Sequence, residues 1–229
     1  MKKTIFALAL ASSLACMASA QAEVITITVN QAEKATNWSD TFSIAKFDTS
    51  LGTLTSIKFD LNGTTSGIGK AESLDSSASI VKVDLTSQLA LNRTDGSILV
   101  IINPLFEQNF SFSAFDGGID FAGTSGGSTG TVTSGLTTKS FSSSSAADLA
   151  LFSALGGGAI DVGLTATGSS SAVGAGNLIA SISTLASASA SVEYTYTAAM
   201  PAVPEPETYG MLLGGLGLIG FMARRRKPA

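Results

Sequence analysis

The sequence predicts an all-β domain, a β-sandwich or jelly-roll-like fold with one short helix, framed by an N-terminal signal peptide and a single C-terminal transmembrane helix. Three observations carry this. Apolar residues recur at every second position in most apolar stretches of residues 21–202, the period of strands with one buried face. No long amphipathic helical pattern interrupts them. Turn signals, Asn62-Gly63, Asp95-Gly96 and Asp116-Gly117-Gly118, punctuate the runs. The expected organisation is a signal peptide at 1–20, an extracytoplasmic β-sandwich at 21–202, and a tail at 203–229 with a membrane segment at 208–223 and a basic end at 224–227.

At the N-terminus, Lys2 and Lys3 precede an apolar core from Ile5 to Leu14, and Ala18-Ser19-Ala20 fits the small-x-small cleavage rule. Cleavage is expected between Ala20 and Gln21, with Ala20-Gln21-Ala22 as a second cut site. Cys16 suggests a lipoprotein signal, but Ser13 stands where a lipobox carries Leu. Discarded with the signal, Cys16 leaves a mature chain without cysteine, hence without disulfides or thiolate chemistry.

The strands follow in order. In EVITITVN, Ile25, Ile27 and Val29 share one face. In TSIKFDLN, Ile57, Phe59 and Leu61 oppose Lys58 and Asp60. In SIVKVDLT, Val81, Val83 and Leu85 oppose Lys82 and Asp84. Ile98–Ile102 is continuously apolar and reads as a central strand buried on both sides, ended by Pro104. From Ala122 to Ser145, 19 of 24 residues are Ser, Thr or Gly. This run predicts a long mobile loop or weakly paired strands near Thr129–Thr133 and Thr137–Phe141, with a glycosylated stalk or adhesive surface as the alternative. A short helix is expected after Ser145, with Ser145 as cap, Asp148 at its third position and Gly156 to close it. Last comes Ala186–Thr197, with Ala186, Ala188, Ala190, Val192, Tyr194 and Tyr196 on one face. Small residues over half that face imply close approach of a second sheet or a bulky facing layer.

Charge and composition exclude several functions. Without Lys2, Lys3 and the four tail cations the body keeps 7 basic residues; without Glu205 and Glu207 it keeps 15 acidic ones, a net charge of −8. That excludes a nucleic-acid partner, which needs a basic face. There is no histidine, hence no Ser-His-Asp triad, no His-ligated zinc and no imidazole shuttle. No carboxylate pair sits in a glycosidase-like motif. No catalytic residue, cofactor or metal is therefore expected, and the chain is read as a non-enzyme. Asp116 and Asp120, in FDGGIDFAG, have the chemistry of a calcium loop but the spacing of a plain turn. Trp38, the one tryptophan, reads as packing more readily than as a sugar platform. Sequons stand at Asn37, Asn62, Asn92 and Asn109.

The tail gives an address. Pro204 and Pro206 lack an N–H, so a helix is expected only after them. Thr208–Ala223 is sixteen uncharged residues, about 24 Å as a helix against a ~30 Å hydrocarbon core. Arg224, Arg225, Arg226 and Lys227 favour the cytoplasmic side, which places the body across the membrane. Val203-Pro204-Glu205-Pro206-Glu207, the apolar stretch and the basic end together resemble the PEP-CTERM sorting signal of Gram-negative bacteria, a tail that also carries the label of ice-binding protein C-terminal domain. The resemblance implies transient residence in the inner membrane and cutting by an exosortase near Pro204–Glu207. The body would then be released or attached at the cell surface, among exopolysaccharide and biofilm. FSIAKFDTSLGTLTSIKFDLNG also resembles the opening of choice-of-anchor E domains, which implies an extracellular β-sandwich without established chemistry.

Two function classes remain open. One is a structural surface or matrix protein processed at its tail. The other is a carbohydrate- or ice-binding module delivered by the same route. Thr26/Thr28 and Thr195/Thr197 are isolated pairs, without the regular repeat an ice-binding array needs.

Overall fold

The computed structural model describes residues 22–199 and 206–225. The predicted signal peptide, its cleavage residues Ala18, Ala20 and Gln21, the motif residues Val203, Pro204 and Glu205, and Arg226 and Lys227 lie outside the described residues.

Two antiparallel sheets pack face to face, the β-sandwich/jelly-roll-like fold that the two-residue period predicts. The larger is built on two long strands, β4 (Gly52–Ser73) and β14 (Leu178–Ala198), paired over most of their length. β1 (Ala22–Ala35) flanks β14. The other edge, along β4, is a strand in three pieces: β8 (Gly126–Ser128), β9 (Val132–Thr133) and β10 (Thr137–Ser143). The second sheet is built on β5 (Ser79–Asn92). On one side of β5 run β6 (Ile98–Ile102) and β7 (Leu105–Phe112), broken at Pro104. On the other run β12 (Ala159–Gly168), itself flanked by β2 (Trp38–Ala45), and β13 (Ser171–Val173). A small parallel pair, β3 (Phe47–Asp48) with β11 (Ser153–Ala154), closes one end beside the helix α1 (Ala146–Leu151).

The core lies between the sheets. Ile57, Phe59 and Leu61 of β4 and Val81, Val83 and Leu85 of β5 are fully buried, as their alternation predicts. The small face of β14 meets a matching face on β4. Ala186 pairs with Thr65 and Ala188 with Gly63, and beyond them Gly67, Gly69 and Ala71 continue the small surface. Large side chains of β5 fill the space. A Cβ on Gly63 would stand 2.2 Å from Leu89 Cδ1, and one on Gly69 2.5 Å from Val83 Cγ1. A polar layer divides the larger apolar cluster from the smaller: Thr65 and Ser87, both fully buried, share a 2.5 Å hydrogen bond, and Ser134 Oγ accepts from the Thr65 N–H at 3.0 Å.

Several expectations are corrected. Asn62-Gly63 is not a turn but lies mid-strand in β4, because Gly63 answers to Leu89 of the opposite sheet. Ile98–Ile102 is not a central strand: β6 pairs with β5 alone, and Ile98 is 55% exposed. Its apolar run reflects a register shift at Leu91/Asn92 that breaks the inside-outside alternation. The Ser/Thr/Gly-rich run does form strands near the expected places, at 132–133 and 137–143, but it does not fold on itself. Its three short strands each borrow β4, so its order comes from a partner remote in sequence. The helix begins as expected, with Ser145 Oγ accepting from the Asp148 N–H at 3.2 Å, but stops at Leu151. β11 needs the next residues, and Gly156 instead donates its N–H to Asp48 at 2.9 Å.

Tyr194 ties the sheets together. Its hydroxyl donates to the Ala45 carbonyl at 2.9 Å, and burial pushes its pKa up to about 12. Replacing Tyr194 with Phe should leave packing intact and lower stability by about 1 kcal/mol, the net worth of one such bond. Urea unfolding checks this, and an unchanged midpoint would refute it.

Candidate functional site

The FDGGIDFAG segment forms a stapled loop, and its carboxylates are already engaged. Asp116 accepts the N–H of Gly118 at 3.1 Å and of Thr124 at 3.1 Å, and these bonds hold its pKa below the usual carboxylate range. Asp120 accepts from the Ala122 N–H at 2.9 Å. Beneath the loop lies Glu72, a residue the sequence reading did not single out. It is fully buried, accepting the Ser125 hydroxyl at 2.6 Å and the Phe121 N–H at 2.7 Å. Gly126 makes room for it, since a Cβ there would come within 2.1 Å of Glu72 Oε2. The only hint in sequence was an acidic residue near the end of an apolar-alternating strand. Among the described residues no group of three or more His, Cys, Asp or Glu is placed to hold a metal ion.

Trp38 starts β2, packs into the larger core cluster at 8% exposure and carries Lys34 Nζ 5.1 Å above its ring. It is a packing residue. The sequon asparagines are scattered. Asn37 occupies a left-handed turn (φ 71°) between β1 and β2, whereas Asn62, Asn92 and Asn109 lie in β4, β5 and β7.

The tail folds as a helix, α2 (Pro206–Arg225). It starts one residue pair earlier than expected, because proline is well suited to a first helical turn, where no intrahelical bond needs its missing N–H. Leu212, Leu213, Leu216, Leu218, Ile219 and Phe221 are exposed, and Arg224 lies exposed in the last turn. The expected transmembrane helix at 208–223 is corrected in one respect. Among the described residues no helix is long and apolar enough to cross a membrane. Glycine at 210, 214, 215, 217 and 220 dilutes the apolar content of α2, and Glu207, Arg224 and Arg225 occupy its ends. Of the sorting residues, Pro206, Glu207, Arg224 and Arg225 are thus on this helix.

Comparison with known proteins agrees on the tail. Residues 202–227 match the PEP-CTERM protein-sorting motif. No curated protein matches the chain. Among solved structures, the chain is similar to that of the infectious bursal disease virus Gx strain, at 12% identity and a TM-score of 0.24, covering 90% of this chain and 47% of that one. It is also similar to the infectious bursal disease virus VP2 subviral particle, at 12% identity and a TM-score of 0.17, covering 93% and 53%. The chain spans about half the length of these viral chains, and likeness at this level carries no functional argument. The motif marks the chain as a secreted protein sorted by an exosortase.

Proposed function

We propose that this chain is an exosortase-processed structural protein of the cell surface or extracellular matrix of a Gram-negative bacterium, displayed among exopolysaccharide and biofilm. The sorting motif at 202–227, directly behind the last strand, carries the reading. The precursor is held at the inner membrane only weakly, by a glycine-diluted helix with a basic end, and the exosortase cuts it near Pro204–Glu207. A weak anchor suits this, since the processing enzyme must take the helix as a ligand and reach the bond beside it. The glycines serve the same end: without side chains at Gly210 and Gly214, another helix can approach closely. The body is a structural module and not an enzyme, consistent with a chain that has no histidine. Carbohydrate binding by the same body is the second reading, favoured by a polar trough over β12 on the second sheet.

Mass spectrometry of the mature C-terminus tests the sorting reading. Changing Pro204, Glu205 and Pro206 to alanine should leave export intact and block maturation in a host with an exosortase. Changing Arg224–Lys227 to glutamate should instead disturb retention. An identical mature mass from the wild type and the triple-alanine chain would exclude this route.

A further inference from the structure

On the outer face of the second sheet a trough of about 380 Å³ runs over β12 and the ends of β2 and β5. Its floor is Gly163, which pairs with Thr41 on one side and Asn92 on the other. One wall is the turn that follows β5, bent over β12 by a 2.8 Å hydrogen bond from the Thr94 hydroxyl to the Asp161 carbonyl. Arg93, at the base of that turn, is fixed by Asp148 and Ser97 and holds the wall in place.

Gly163 is the informative residue. Glycine inside a strand costs stability and often marks a place where something approaches the backbone closely. The fold does not ask for it here. Its φ lies outside the left-handed region, and a Cβ would meet only Asn92 Cβ at 3.6 Å and Asn92 Nδ2 at 3.8 Å, ordinary contacts. This sets it apart from Gly63 and Gly67, where a Cβ would collide with the facing sheet or the neighbouring strand. What glycine does at 163 is keep the trough open.

The lining sets the ligand's chemistry. It consists of the hydroxyls of Ser39, Thr41 and Thr165, the Asn92 amide, Asp161 and the side chains of the turn, with no apolar side chain. The Asp161 carboxylate has no hydrogen-bond or ion-pair partner among the described residues. The Asn92 amide is engaged only by a long 3.4 Å bond to Thr165. A carboxylate that accepts, an amide that both donates and accepts, and the Ser39 and Thr165 hydroxyls paired across β2 and β12, strands about 4.8 Å apart, suit a ligand bearing several neighbouring hydroxyls. The body's net charge of −8 opposes a polyanion. The volume is near the lower end of small-ligand sites, which run from ~300 to ~1,000 Å³.

We infer that this trough binds a neutral saccharide, with Asp161 and Asn92 gripping adjacent hydroxyls over the open floor at Gly163. This goes beyond the sorting reading and stands or falls independently of it, because the trough lies wholly in the sandwich.

The test uses the full chain in a detergent without a sugar head group, applied to an array of neutral and acidic oligosaccharides. The best neutral glycan is then titrated against the wild type, Asp161→Asn and Gly163→Val. Retention of neutral glycans is expected, with affinity falling about tenfold or more in each variant. Gly163→Val should melt at or above the wild-type temperature, since valine suits a strand. Asp161→Asn alters only an exposed side chain and serves as the folded control if the valine variant fails to fold. Retention of no neutral glycan, a preference for acidic glycans, or unchanged affinity in a folded variant would each overturn the proposal.

Discussion

Replacing Gly67 with alanine is expected to cost the domain about 3 kcal/mol or more, much of the 5–15 kcal/mol that holds a typical domain folded. Two effects act together. Gly67 has φ +152°, at the margin of the range that disfavours a side chain. Its Cβ would stand 2.0 Å from the Ser183 carbonyl oxygen and 3.0 Å from Leu85 Cδ2. The first neighbour is backbone of β14, which is held by β4 along its length and cannot step aside without breaking that ladder. Gly130→Ala is the control. It also has positive φ (+64°), but nothing lies within 4 Å of its Cβ, so only the backbone term of about 1 kcal/mol remains. Urea unfolding of both variants separates contact from conformation. A Gly67→Ala midpoint equal to that of Gly130→Ala would show that the sheet can open there at little cost.

Asp148→Ala should destabilise the domain by about 3 kcal/mol, the range for removing one partner of a buried pair. Asp148 is buried, and Arg93 donates to both its oxygens, Nε at 2.9 Å and Nη2 at 3.1 Å, while the Ser143 hydroxyl donates at 2.6 Å. The side chain thereby joins α1, the turn after β5 and the end of β10. The Arg93 hydrogen bonds are the main cause that holds its carboxyl below the usual range, with Ser143 adding to them. The sign follows from proton binding. The unfolded chain takes up this proton at a higher pH than the folded one. The stabilisation is therefore complete above the ordinary carboxylate pKa near ~4 and is lost as pH falls through the lowered folded value. The wild type should lose stability below about pH 4, and Asp148→Asn should be weaker at neutral pH with a flatter acid limb. A variant whose acid limb matches the wild type would show that other carboxylates govern acid unfolding.

What the sequence revealed was what depends on near neighbours. Ile57, Phe59 and Leu61 alternate because one sheet face is buried, and the pattern needs no knowledge of what covers it. Ser145 and Asp148 mark the start of α1 because capping is settled within four residues. The misreadings lay where a distant residue decides. Asn62-Gly63 has the composition of a turn, yet Leu89 requires the glycine from across the sandwich. Residues 122–145 offer little apolar surface of their own, and their strands form because β4 presents a free edge. The sorting tail was legible because its proline pair, apolar run and basic end stand in a fixed linear order, and residues 202–227 match that motif. The trough was not, since Ser39, Asn92 and Asp161 come from three strands whose adjacency only the fold supplies.

The position of β14 has a consequence in time. β1 and β4 do not pair with one another; each pairs with β14, the last strand before the tail. A secreted chain that emerges N-terminus first must wait for Leu178–Ala198 before its larger sheet has a middle. Through most of its passage it remains an unfinished thread, the form that a narrow conduit accepts. The larger sheet can close only once that final strand has arrived between β1 and β4. Only seven residues, 199–205, then separate that strand from Pro206 and the start of α2. The strand that completes the larger sheet and the sorting tail thus follow one another closely along the chain.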